Sequence, residues 1–178
     1  MADTPDTGGQ KLPMSRGKKQ ALATALATAI AVPAEGLRQI AYYDPPGILT
    51  VCFGHTGKDV VKGKVYSLGE CKSLLNVDMA KAVDAVDKCH PDMPENVLVA
   101  FADAAYNLGP RIACNPSYST ASRKLYAHDW VGACHELPKW DKAKILGFMF
   151  ALPGLTKRRA LERDICLGAT MPSLGAVG

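Results

Sequence analysis

The 178-residue sequence lacks several features that mark particular classes of protein. No two of its cysteines form a Cys-x-x-Cys pair, which argues against zinc-ribbon and thioredoxin-type sites. Its uncharged, Ala-rich stretch at residues 21–32 has only twelve residues, too few to span a bilayer. There is no internal repeat and no linker to a second domain. The sequence therefore favours one globular domain.

The sequence also lacks the dense basic stripe of a dedicated nucleic-acid-binding protein. Its 21 Lys and Arg against 17 Asp and Glu give a formal net charge of +4. This modest excess favours an anionic polymer as partner, and we expect no nucleic acid. A chain of this length can bury a sizeable core, so its stability requires neither a metal nor an oligomer. We expect a monomer without cofactor or metal.

Six cysteines are spread widely along the chain. Their even number and spacing suit disulfides in an oxidising compartment, although fifteen connectivities are possible. Buried free thiols in a cytosolic protein are the alternative interpretation. The six are Cys52, Cys71, Cys89, Cys114, Cys134 and Cys166.

The N-terminal third divides into an arm and a helix. Residues 1–20 contain few apolar clusters and predict a flexible arm. From residue 21 onwards, Leu22, Leu26 and Ile30 recur every fourth residue, which predicts an amphipathic helix that buries this stripe. Because basic residues precede it and Val-Pro-Ala follows it, the segment could also act as an export signal or a transient membrane anchor.

The rest of the chain predicts a small sheet followed by helices. Residues 48–53 are rich in β-formers between turn signals, within a sheet region at about 41–66. Ser67 and Glu70 form a capping-box signature that opens a long helix. Helical patterns then dominate up to residue 168, and residues 171–178 are a tail. The fold class is therefore α+β.

Two acids and a hydroxyl are the candidate reactive groups. Glu35 follows the first predicted helix, where apolar surroundings would favour its protonated form. Asp44 lies on the turn that opens the sheet, where it would stay ionised, and Thr50 lies on the following strand. One protonated and one ionised carboxyl are what cleavage of a glycosidic bond requires.

These residues lie within a segment that resembles the phage-type lysozymes, the endolysins of glycoside hydrolase family 24. The resemblance covers residues 21–168 and implies one domain at 21–170, with a sheet lobe, a helical lobe and a cleft between them. The matching motifs are Glu35-Gly-Leu-Arg38, Tyr42-Tyr-Asp44, Thr50-Val-Cys-Phe-Gly-His-Thr56, Asn76-Val-Asp78, Tyr106-Asn-Leu-Gly109 and Gly154-Leu-Thr-Lys-Arg-Arg159 with Glu162.

The resemblance implies roles for individual residues. Glu35 would be the general acid, Asp44 the second catalytic carboxylate, and Thr50 the hydroxyl that helps hold the attacking water. Thr56 and Tyr106 match positions that line the saccharide cleft. We expect the two carboxyl groups to lie roughly 6.5 to 9.5 Å apart, which would give inversion at the anomeric carbon.

Other matched residues would support the site. His55 is expected to pair with Asp78 and fasten the sheet to the long helix, and Arg158 or Arg159 is expected to pair with Glu35. Packing that helix behind the sheet would bring Cys52 to Cys71. The expected remaining pairs are Cys89–Cys114 and Cys134–Cys166. The segment at residues 56–67 is too short for the extra helix of longer relatives.

The function implied is that of a phage muramidase. It would hydrolyse β-1,4 bonds between N-acetylmuramic acid and N-acetylglucosamine in bacterial peptidoglycan, acting in the host periplasm or on the cell wall. A lytic transglycosylase, which would use Glu35 without water, is one alternative. A non-enzymatic protein that binds walls or membranes through its basic C-terminal helix and Ala-rich segment is another.

Overall fold

The computed structural model describes residues 15–34, 36–44, 47–145 and 148–169. It confirms the predicted α+β class, with a three-stranded antiparallel sheet in the order β1-β2-β3 and a mainly helical remainder. The elements are α1 (Arg16–Ala34), β1 (Arg38–Tyr43), β2 (Leu49–Cys52), β3 (His55–Thr56), α2 (Leu68–Cys89), α3 (Glu95–Leu108), α4 (Arg111–Cys114), α5 (Thr120–Tyr126), α6 (Trp130–Cys134), a 3-10 helix (Leu137–Trp140), β4 (Lys142–Ile145), β5 (Phe148–Ala151) and α7 (Pro153–Cys166).

Helix α1 begins earlier than the sequence pattern predicts. It starts at Arg16, so placing residues 16–20 in a flexible arm was wrong. The cause is a long-range contact: Arg16 Nε and Gln20 Nε2 donate to Asp87 Oδ2 over 2.6 and 3.0 Å, and Asp87 is fully buried on α2. Residues 1–14 of the predicted arm and the predicted tail at 171–178 lie outside the described residues.

The buried face of α1 also differs from the predicted one. Ala23, Ala27, Ile30 and Ala31 are buried, whereas Leu22 is 40% exposed. The predicted Leu22/Leu26/Ile30 stripe is therefore wrong for its first member. Helix α1 packs against α2, α3 and α7 together, and small alanine side chains allow this close approach on the inner face. In the described residues, no helix has the length and apolar character needed to cross a membrane.

The sheet brings distant sequence positions together. Strand β2 confirms the predicted strand and pairs on both sides, with Tyr42 opposite Thr50 and Val51 opposite His55. Strand β1 begins at Arg38, before the expected boundary of the sheet lobe. Residues 57–66 form turns and one isolated bridge, Ile40 to Val65, with no helix.

Helix α2 begins with the predicted capping box. The Ser67 hydroxyl accepts a hydrogen bond from Glu70 N, and the Glu70 carboxylate accepts one from Ser67 N. The hydrogen bond from Lys64, followed by those at Ser67, lowers the pKa of Glu70 to about 2. All six cysteines form the expected pairs, Cys52–Cys71, Cys89–Cys114 and Cys134–Cys166.

Helix α3 forms the centre of the helical lobe, with every residue from Val97 to Ala105 buried. It packs against α1, α2 and α7. The purely helical interpretation of the C-terminal part is wrong between residues 142 and 151, where β4 and β5 form an antiparallel hairpin. Successive side chains in a strand point to opposite faces, so a half-buried strand shows alternating apolar and polar residues. Strand β5 is apolar at every position and lacks this alternation, so the sequence does not distinguish it from the helices around it.

Candidate active site

Asp44 and Thr50 lie side by side where β1 turns into β2. Asp44 Oδ1 accepts a hydrogen bond from Ile48 N over 2.7 Å, which orients its carboxyl group. The Thr50 hydroxyl donates to the Ile48 carbonyl over 3.0 Å and lies 3.4 Å from Asp44 Oδ2. Because Tyr42 and Thr50 are register partners, the strand pairing itself holds the acid and the hydroxyl on the same edge.

A groove of about 380 Å³ runs between the sheet and the helical lobe. Thr56 lies on its sheet side and Tyr106 on its α3 side, so both predicted substrate-contacting residues line it. The Tyr106 hydroxyl donates to the Phe53 carbonyl, which ties α3 to the turn between β2 and β3. Thr50 and Thr56 are register partners, which places the groove beside the Asp44–Thr50 pair.

His55 connects the sheet to α2, as expected. Its Nδ1 lies 2.5 Å from Asp78 Oδ2 on α2, and its Nε2 lies 3.1 Å from Asp59 Oδ2. Asp78 Oδ1 in turn accepts a hydrogen bond from Lys81 over 2.9 Å. The backbone N–H of Asp59 and its hydrogen bond with His55 lower the pKa of Asp59. Asp78 and Lys81 line the groove, so this network forms part of its wall.

Arg158 is held at the boundary between α3 and α7. Its Nε and Nη2 donate to the two Asp103 oxygens over 2.8 and 2.9 Å, and both side chains are almost completely buried. Its guanidinium carbon lies 6.0 Å from the centre of the Tyr106 ring. A second cavity, of about 230 Å³, is lined by Arg158 together with Ile30 and Pro33 at the C-terminal end of α1.

Glu35, the expected general acid, lies outside the described residues. The distance expected between its carboxyl group and that of Asp44 therefore stays a prediction. Residue 35 directly follows α1, whose last turns line the second cavity with Arg158. Among the described residues, Arg159 contacts Asn107 and Glu162: its Nη2 donates to Asn107 Oδ1 over 2.8 Å, and its Nη1 lies 2.9 Å from Glu162 Oε2.

Asp103 was missed by the sequence analysis, although a signal for it exists. It is the only charged residue in the run from Val97 to Ala105, where all other residues are apolar. A lone acid in a helix that is apolar on every side must be buried, and a buried carboxylate needs a cation. That cation is Arg158, which the resemblance to phage-type lysozymes implies instead as one of two possible partners of Glu35.

No group of three or more His, Cys, Asp or Glu side chains in the described part of the chain could hold a metal ion. The chemistry that these residues offer is acid–base chemistry by carboxyl groups beside a groove.

Comparison with known proteins agrees with this geometry. The family model described as phage lysozyme matches residues 33–162. The chain is 42% identical over 134 residues to the SAR-endolysin of Bacteriophage PS119, covering 75% of this chain and 76% of that one. It is also 42% identical over 134 residues to the SAR-endolysin of Enterobacteria phage P21, covering 75% and 77%. The chain belongs to the phage lysozyme family.

Solved structures support the same assignment for this phage lysozyme. The endolysin of Escherichia coli O157:H7 phage FAHEc1 superimposes with a TM-score of 0.68 at 28% identity, covering 92% of this chain and 98% of that one. The protein is thus a lysozyme-type glycoside hydrolase for phage lysis, and its substrate is peptidoglycan. Its three disulfides fit an oxidising compartment.

Proposed function

We propose that this phage lysozyme cleaves the β-1,4 bond between N-acetylmuramic acid and N-acetylglucosamine, with Glu35 as general acid and Asp44 as the second carboxylate. The observation that carries the proposal is the Asp44–Thr50 pair, held by strand pairing beside the groove. Glu35 protonates the leaving glycosidic oxygen, and Asp44 acts on the opposite face of the oxocarbenium-like sugar.

Water enters the mechanism at Asp44 and Thr50. Since the Thr50 hydroxyl donates its proton to the Ile48 carbonyl, its oxygen can accept a hydrogen bond from a water that Asp44 activates. Such a water attacks the anomeric carbon from the face opposite the leaving group and inverts its configuration. This geometry favours hydrolysis over the transglycosylase alternative, in which no water attacks.

The groove supplies the binding energy for the sugar chain. Thr56 offers a hydroxyl on one wall and Tyr106 an aromatic face on the other, a combination that suits the polar and apolar faces of a pyranose ring. Arg158 supports the acid side from the second cavity, while the His55–Asp78 pair keeps the sheet lobe at a fixed distance from α2.

We further propose that the enzyme acts as a monomer in the periplasm of the phage host. The disulfides and the peptidoglycan substrate support this location. The Ala-rich segment in α1, preceded by Lys18 and Lys19, provides a transient membrane contact during export.

The test is hydrolysis of purified peptidoglycan by Glu35→Gln and Asp44→Asn variants. Each variant should lose activity at least about 100-fold while keeping the wild-type circular dichroism spectrum. Asp164→Asn is the matched control, because Asp164 lies on the exposed side of α7 and pairs with its neighbour Arg163. Lysis that persists in Glu35→Gln would contradict the enzymatic assignment in favour of a wall-binding protein.

Product analysis separates the remaining alternatives. Hydrolysis adds the mass of one water to the cleaved chain, whereas a transglycosylase releases an anhydro end of unchanged total mass. Proton NMR of the first product formed reports the anomeric configuration. Retention of configuration would contradict the direct attack of water that we assign to Asp44 and Thr50.

A further inference from the structure

The β4–β5 hairpin exposes an unusual concentration of large apolar side chains. Phe148, Met149 and Phe150 are consecutive, and they are 71%, 61% and 52% exposed. Because side chains alternate along a strand, the two phenylalanines project from one face of the hairpin and the methionine from the other. Ala143 is the register partner of Phe150, so the face of the two phenylalanines is apolar, whereas Lys142, the partner of Ala151, adds a basic group to the face of Met149.

The sequence around strand β5 has the same apolar character. No charged residue occurs between Lys144 and Lys157. The backbone groups of the two strands pair with each other from Lys142–Ala151 to Ile145–Phe148. The hairpin thus satisfies its inner backbone hydrogen bonds by itself, while the outer edges of its two strands require the polar headgroup region rather than the hydrocarbon core.

The base of the hairpin carries aromatic and basic groups. A groove of about 360 Å³ beside it is lined by Met149, Trp140, Tyr118 and Lys142, among others. The Trp140 and Tyr118 rings lie 5.5 Å apart, and the Arg111 guanidinium lies 4.2 Å from the Tyr118 ring. Tryptophan and tyrosine, with basic residues beside them, are the side chains that prefer the headgroup level of a membrane.

We propose that this hairpin is a membrane-docking element that inserts Phe148, Met149 and Phe150 into the interfacial region of a bilayer containing anionic phospholipids. Four paired residues span about 13 Å at roughly 3.3 Å per residue, enough for apolar groups to enter about 5 to 10 Å while the base remains among the headgroups. Lys142 and Arg111 then face the anionic lipids, and Trp140 and Tyr118 lie at the interface.

The exposed area favours a bilayer over a second copy of the chain. With roughly 200 Å² for each complete side chain, the three exposed residues offer on the order of 400 Å². A stable protein interface buries about 800 Å² on each partner, twice that amount. A bilayer has no such minimum area, so three exposed apolar side chains suffice for contact with it.

The test measures binding of the full chain to sedimented vesicles. The vesicles contain phosphatidylethanolamine and phosphatidylglycerol at 7:3, with phosphatidylcholine vesicles for comparison. Phe148→Ser/Phe150→Ser should weaken binding to the anionic vesicles about tenfold or more. The matched control is Val61→Ser/Val65→Ser, which removes two side chains that are 55% and 67% exposed on the sheet lobe and should leave binding unchanged.

Equal binding by the Phe148→Ser/Phe150→Ser variant and the wild type would overturn the proposal and direct attention to α1. Concentration-dependent dimers of the wild type, without vesicle binding, would overturn it in favour of self-association. Hydrolysis of purified peptidoglycan should be equal in wild type and variant, so this readout separates the docking proposal from the catalytic one.

A second measurement does not depend on the folding of the hairpin variant. The chain has two tryptophans, so Trp130→Phe leaves Trp140 as the only one. Vesicles with brominated acyl chains should quench its fluorescence by at least about twofold relative to unbrominated ones, because the base of the hairpin lies at the interface. Binding without a difference in quenching would show that another surface docks.

Discussion

Glu162 offers a sharp test of how the charged cluster inside the helical lobe is stabilised. Its side chain is fully buried, 2.9 Å from Arg159 Nη1 and 3.5 Å from Arg158 Nε. Burial, followed by the hydrogen bond and charge of Asp103, raises the pKa of Glu162 well above its usual value of 4.5. The folded protein therefore keeps a proton on this carboxyl group at pH values where the unfolded chain has lost it.

The sign of the pH dependence follows from this difference. The contribution of Glu162 to stability is complete below pH 4.5 and is lost as the pH rises towards the folded pKa, because only the unfolded chain releases its proton. One proton gives a slope of at most about 1.4 kcal/mol per pH unit. For a chain of this size, each kcal/mol changes Tm by about 2 to 4 °C.

Glu162→Gln removes this titration while keeping the shape of the protonated side chain. We expect the free energy of unfolding of the variant, minus that of the wild type, to increase as the pH rises from 5 towards the folded pKa of Glu162. Urea unfolding with intact disulfides, followed by circular dichroism, measures the difference at each pH. Glu95→Gln, in the first turn of α3, is the matched control for loss of a carboxyl group outside the buried cluster. A flat or falling difference for Glu162→Gln would refute the reasoning and show that Glu162 pairs with Arg159 as a carboxylate.

Three further substitutions test particular contacts by urea unfolding at neutral pH. Ser67→Ala removes the side-chain cap of α2 and should cost about 1 kcal/mol, while no loss would show that the cap is redundant. Replacing Cys134 and Cys166 together by Ala opens a loop with a sequence separation of 32 residues and should lower the free energy of unfolding by about 3 to 4 kcal/mol. An unchanged urea midpoint would contradict this expectation. Asp78→Asn weakens the contact with His55 and should cost about 1 to 3 kcal/mol, and Asp84→Asn on the same helix serves as its control.

The parts of the fold that the sequence predicts correctly are those with local causes. The capping box at Ser67 and Glu70 needs only residues three apart, so it marks the start of α2 without knowledge of the tertiary structure. Strand β2 is similarly framed by its own turn signals. The Asp44–Thr50 pair belongs to this group too, because a short turn between paired strands brings the two residues together.

The errors occur where partners distant in sequence decide the outcome. Leucine is more apolar than alanine, so the sequence pattern predicts a buried stripe of Leu22, Leu26 and Ile30. The three helices that pack against α1 instead bury the face that carries its alanines and expose Leu22. Its first turn is fixed by Asp87, which lies 71 residues beyond Arg16. In the C-terminal part, Phe148, Met149 and Phe150 are all apolar, so they lack the alternating pattern that marks a half-buried strand.

This division separates the two halves of the proposed catalytic site. The Asp44–Thr50 half is held by one hairpin, so it should tolerate changes elsewhere in the chain. The proposed acid, Glu35, follows α1 in the sequence, and this helix is fastened by Asp87 near its start and lines a cavity with Arg158 and Leu161 of α7 near its end. We therefore expect substitutions that loosen α1 to lower the hydrolysis of peptidoglycan before they unfold the sheet lobe.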